Sequence, residues 1–259
     1  MPHRILKRSS KYCFSNMMNL IIILVLISLT DVLNNLSYIY LKTPYIFILS
    51  AFTVILTLIT TGYGLVVTRD VIDGGKELPK VHIGDSIVFG FKSSITTIIF
   101  TSIQIIVLDY IANFFHFPKF ELKGMFLDIP KTINLFINHD ITQSAVFFIL
   151  SAIVVYITVF FMEISLARLA DEGSLRKSLD IFYIKDCIDV IGWRKYAKEY
   201  TNIIIAIVIL TYLKYGIESL HIIDGIVNLI IGFLIFTIQY LGIAWIYRVY
   251  KKKSATHQK

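Results

Sequence analysis

From Tyr45 to Thr68 the chain carries no charged side chain, and the run ends abruptly at Arg69. Wound as a helix at about 1.5 Å per residue, such a run matches the ~30 Å hydrocarbon core of a bilayer. Comparable runs recur over about 17–40, 87–113, 144–167, 200–218 and 223–247. Hydrophobic residues make up 56% of the chain and charged ones 17%, and the mean hydropathy is +0.72. A soluble fold would have too little polar surface to cover that apolar mass. The sequence therefore predicts an all-α polytopic membrane protein. Its single integral membrane domain, residues 1–259, is a bundle of six transmembrane helices with short interfacial helices.

Charge orients the bundle. With both termini inside, of the 25 Lys and Arg residues only Lys42, Lys119, Lys123, Lys131 and Lys214 fall in segments assigned outside. That bias predicts a cell membrane protein with a basic cytoplasmic N-terminus (1–16), cytoplasmic loops at 69–86 and 168–199, and a basic cytoplasmic tail (248–259). Arg4, Lys7, Arg8 and Lys11 precede the first run, but no small-residue cleavage site follows it, so it reads as a retained helix. The net charge of +7 is explained by anionic lipid headgroups at the inner face, and no nucleic-acid motif accompanies it. Cys13 and Cys187 both fall on the inner side, where a disulfide is not expected.

Two motif resemblances fail on context. Thr60–Gly64 (TTGYG) looks like a potassium filter but lies inside a span-length run, where Gly62 and Gly64 instead permit close helix packing. Asp73–Glu77 (DGGKE) lacks the upstream Gly and downstream Ser or Thr of a phosphate loop. It reads as a helix exit, with Leu78-Pro79 breaking the chain and Asp85-Ser86 capping the next helix. His116, His139 and His221 accompany Asp140 and Asp224 outside, without the spacing of a metal site. GxSxG, HExxH and CxxC are all absent from the sequence, and no cofactor is expected.

Charged residues within the apolar runs are costly and so carry information. Asp31, Asp109 and Glu163 either form a polar path or are accommodated singly. In the second case Asp31 and Asp109 reach the outer interface, while Glu163 pairs with Arg168 or Arg69. Between the spans, 168–199 contains an amphipathic stretch with Leu175, Leu179 and Phe182 on one face, and Ser174 is placed to cap it. Trp193 and Tyr196 are expected at headgroup level, an interfacial helix is expected at 129–137, and the tail after Lys253 is expected to be unfolded.

The second and fourth helices leave the membrane alike, Arg69 preceding Gly74 and Arg168 preceding Gly173 by five residues. Gly62-Tyr63, Arg69, Asp73-Gly74, Leu78-Pro79 and Gly90, with ARLADEGSLRKSL (Ala167–Leu179) and IGWRKY (Ile191–Tyr196), together resemble an uncharacterised prokaryotic membrane family, domain of unknown function 4013. The resemblance spans helices two to five. The aromatic and acidic pair common after the family's loop proline is replaced by Lys80-Val81-His82. It implies a multi-pass membrane protein with no assigned activity and no catalytic residues. The expectation is a non-enzymatic permease-like or scaffold component. Its candidate cytoplasmic surface comprises Arg69, Asp73, Gly74, Arg168, Asp171, Glu172, Gly173 and Arg176, and its partner is another protein or a second copy. The alternative is a membrane enzyme acting on a lipid, with Glu163, Asp171 or Glu172 as acid or base and Arg69 and Arg168 on a phosphate.

Overall fold

The computed structural model describes residues 11–39, 45–116, 141–218 and 224–257. All its regular structure in those segments is helical: α1 (Met17–Ile39), α2 (Ile46–Asp73), α3 (Ile83–Phe114), α4 (Ile141–Glu172), α5 (Leu175–Ser178), α6 (Ile181–Ile191), α7 (Trp193–Glu218) and α8 (Asp224–His257). The six long helices, α1 to α4, α7 and α8, are each apolar enough to cross a membrane. Over an 18-residue stretch of each helix, mean hydropathy is highest in α4, at 2.7, and lowest in α7, at 1.2. The protein is an all-α, polytopic membrane protein.

The helices run past the points where charge first appears. α2 continues beyond Arg69 to Asp73, α4 beyond Arg168 to Glu172, and α8 beyond Arg248 to His257, so the tail expected to be unfolded is helical to His257. α3 starts at Ile83 rather than near Ile87, and α7 at Trp193 rather than Tyr200. A cation marks where hydrocarbon ends, whereas a backbone requirement marks where the helix ends. α2 stops at Gly74 (φ 98°), where the Gly74 N–H donates to Val71 O and the Gly75 N–H to Asp70 O, a Schellman cap. α4 stops at Gly173 (φ 68°), whose N–H donates to Leu169 O.

Two compact units are present. One comprises residues 1–96 and 163–259, the other Thr97–Met162. In the second, Ala112 and Phe147 form a small buried core with Ile111, Phe115 and Phe148 packed on it. In the first, α2 and α3 cross where Gly62 faces Ser86 and Gly90, and Gly90 faces the Leu58 backbone. Ser86, Gly90, Ser93 and Thr96 are buried along α3, a stripe of small residues that brings the two backbones together. Gly64 serves a different neighbour: the Tyr240 ring of α8 occupies the space a Cβ would fill. Thr68 Oγ1 donates to Tyr240 O at 3.3 Å on the same side of α2.

The predicted amphipathic helix after Ser174 is two elements. Asp180 breaks it by accepting from the Phe182 N–H at 3.1 Å and the Tyr183 N–H at 3.5 Å, capping α6. Ser174 makes no side-chain cap, and Asp85 lies inside the first turn of α3. α6 buries Ile184, Cys187, Ile188 and Ile191, while Ile181 and Phe182 are exposed. Tyr196 is fully buried, not an interfacial anchor, and stacks at 5.8 Å on Tyr200 one turn on. Trp193 is exposed and donates its indole N–H to Asp189. The expected helix at 129–137 lies outside the described residues.

Candidate functional site

The exit at Gly62–Pro79 is held in place by the segment before α1, by the first turn of α1 and by Tyr63 of α2. Ser15 Oγ accepts from the Leu78 N–H at 3.0 Å, Asn19 Nδ2 donates to Leu78 O at 3.2 Å, and Tyr63 OH donates to Pro79 O at 2.7 Å. Tyr12 OH donates to Asp70 Oδ2 at 2.6 Å, and burial together with that carboxylate pushes the Tyr12 phenol well above its usual range. Asp70 in turn fills the space where a Cβ on Gly75 would stand. Leu78-Pro79 is thus a pinned turn rather than a free loop.

The second exit is organised by Arg168. Its residue is 5% exposed, its Nε donates to Glu172 Oε1 at 3.0 Å, and its guanidinium lies 4.3 Å from the centre of the Tyr183 ring on α6. Lys177 holds the other oxygen of Glu172 at 2.8 Å. Lys92 of α3 donates to Gly173 O at 2.7 Å, placing a cation on the carbonyl end of α4 as the helix dipole favours. Ser165 Oγ donates to Ser178 O at 2.6 Å, folding α5 back on α4.

Lys251 of α8 brings the two exits together. Its Nζ lies 2.7 Å from Asp73 Oδ1 and 2.6 Å from Asp171 Oδ1, so one ammonium joins the ends of α2, α4 and α8. Beside it, Arg248 stands against Gly74, with Nη2 2.9 Å from where a Cβ would sit, and stacks on Trp245. Lys253 donates to Val190 O at the end of α6. Of the predicted surface residues, Asp73, Gly74, Arg168, Asp171, Glu172 and Gly173 all join these contacts, while Arg69 and Arg176 are exposed. No sequence motif marks Lys251, Tyr183 or Tyr12. Lys251 sits in a run of three lysines, and its neighbours Lys252 and Lys253 are spelled identically.

Asp31 pairs with Lys214 at 3.2 Å, and Asp109 is exposed. Glu163 is 7% exposed and accepts from Gln239 Nε2 of α8 at 3.2 Å, not from either expected arginine, because Arg168 turns toward Glu172. Among the described residues, no three His, Cys, Asp or Glu side chains cluster as metal ligands. His139, Asp140 and His221 lie outside the described residues. Cys13 and Cys187 are free and buried, and burial pushes both thiols above their usual range.

No curated protein and no solved structure matches the chain. The family described as protein of unknown function (DUF4013) matches residues 45–222, from α2 through both exits and α7. With that match covering most of its length, the chain belongs to the DUF4013 family.

Proposed function

We propose that this protein is a non-enzymatic component of the cell membrane, permease-like or a scaffold, whose basic end is a cytoplasmic interaction surface. The observation that carries this reading is the Lys251 bridge, which makes the two exits one surface rather than two loops. The charges are organised for holding, not for chemistry. Asp171 is engaged by Lys251, Glu172 by Arg168 and Lys177, and the Arg168 guanidinium is buried against Tyr183. At the exits a lipid-cleaving or lipid-transferring site would need a carboxylate free to take a proton beside cations open to a phosphate, and Asp171 and Glu172 there are both engaged. Arg69 and Arg176 remain exposed and offer that surface its recognition charges, to a protein partner or a second copy. A photo-crosslinker placed at Arg69 or Arg176 in native membranes is expected to give discrete adducts that Lys251→Met abolishes without loss of the folded protein. Adducts of equal yield in Lys251→Met would overturn the reading.

The orientation with both termini cytoplasmic rests on the distribution of Lys and Arg. Because Cys13 and Cys187 are buried, the native thiols form a quiet background for impermeant maleimide labelling. Arg69→Cys and Lys252→Cys are expected to label only after permeabilisation, and Phe114→Cys in intact cells. The reverse pattern would invert the assignment.

A further inference from the structure

Glu163 is not part of the surface just described. It lies on α4 nine residues before Glu172, about 14 Å along the axis, in a helix whose most apolar 18-residue stretch has a mean hydropathy of 2.7. Among the described residues no Lys or Arg stands within ion-pair distance of it. Among those residues its hydrogen-bond donor is the neutral amide of Gln239. The ionisable group facing it from α8 is Tyr240, whose ring is seated in the space left by Gly64 of α2. Arg168, on its own helix, is turned to Glu172 and Tyr183. A carboxylate taken out of water without a cation is expensive, and the inexpensive compensation available is a proton.

We propose that Glu163, with Gln239 and Tyr240, is a proton-binding site inside the membrane-spanning bundle. The amide donates to one carboxyl oxygen, the proton resides on the carboxyl group, and Gly64 makes room for the Tyr240 ring. The proposal is independent of the interaction surface, since neither Lys251 nor the exposed arginines touch this site.

Dicyclohexylcarbodiimide, an apolar reagent that enters membranes, tests it on the full-length protein in native membranes. The protonated acid adds across one C=N bond: the carboxyl oxygen bonds the central carbon and the proton passes to nitrogen. The acyl group then migrates to nitrogen to give a stable N-acylurea, with no leaving group. The expected result is an adduct on the Glu163 peptide that is strong at acidic pH and falls about tenfold per unit once the site has emptied. It is absent in Glu163→Gln, whose isosteric amide keeps the protein folded. An adduct confined to Asp31 or Asp109, or one on Glu163 with no pH dependence, overturns the proposal. Protection of Glu163 by sodium or potassium at constant pH would also overturn it, as the mark of a metal-cation site.

Discussion

Gly62→Ala is expected to destabilise the protein by about 3 kcal/mol or more, with Gly90→Ala matching it. The added methyl at either position would overlap backbone: the Ser86 carbonyl in one case, the Leu58 carbonyl in the other. Backbone of a packed helix cannot swing aside as a side-chain tip can, so α2 and α3 must separate along their buried stripe. Gly84→Ala, on the same helix as Gly90, is the control. Nothing lies within 4 Å of its would-be Cβ, so the better helix propensity of Ala should leave stability unchanged or raise it by up to ~1 kcal/mol. Thermal unfolding in detergent, followed by loss of the monodisperse species, measures all three. Equal midpoints for Gly62→Ala and Gly84→Ala would show that the crossing does not depend on close backbone approach.

The second large effect is asymmetric. Glu172→Gln is expected to cost about 2 kcal/mol, whereas Arg168→Met should cost less than about 1 kcal/mol. Removing the acid leaves a guanidinium that is buried and charged, with Tyr183 its main remaining partner and an Nη1 that finds no acceptor among the described residues. Removing the base leaves Glu172, about a quarter exposed, still paired to Lys177. The partial exposure of Glu172 is why the larger figure stays below that of a fully buried pair. The same unfolding assay decides the matter. An Arg168→Met variant less stable than Glu172→Gln would mean that packing of the arginine stem, rather than its charge, holds the exit.

These two exits also show what was readable. Arg69 and Arg168 located the ends of the apolar runs, and Gly74 and Gly173 the ends of the helices, because positive φ at a helix exit leaves few alternatives to glycine. Placing the helix end at the first charge was an error of a turn or more in α2, α4 and α8, since an α-helix satisfies its own backbone in water as well as in lipid. The likeness of the exits is partial: their capping hydrogen bonds differ, and Arg69 is exposed while Arg168 is buried. The amphipathic pattern at 175–182 misled because Asp180 offers the backbone a local cap, which ends one helix and begins another. Tyr196 is buried rather than interfacial for a related reason, since an aromatic residue near a charged stretch fits an interface or a core equally well and its neighbours decide.

The sequence by itself determined the all-α class, the six spans, and the glycines at which helices must end or approach closely. These follow from hydrophobic length and steric allowance, properties of a residue and its near neighbours along the chain. Only the tertiary structure decided which charges meet. It joined Asp73 and Asp171 through Lys251, gave Asp31 to Lys214, and left Glu163 with Gln239 instead of an arginine. The physical reason is one of range. Charge pairing acts over a few ångströms between residues as many as 183 positions apart, and no local pattern records which of several like side chains will be the one within reach.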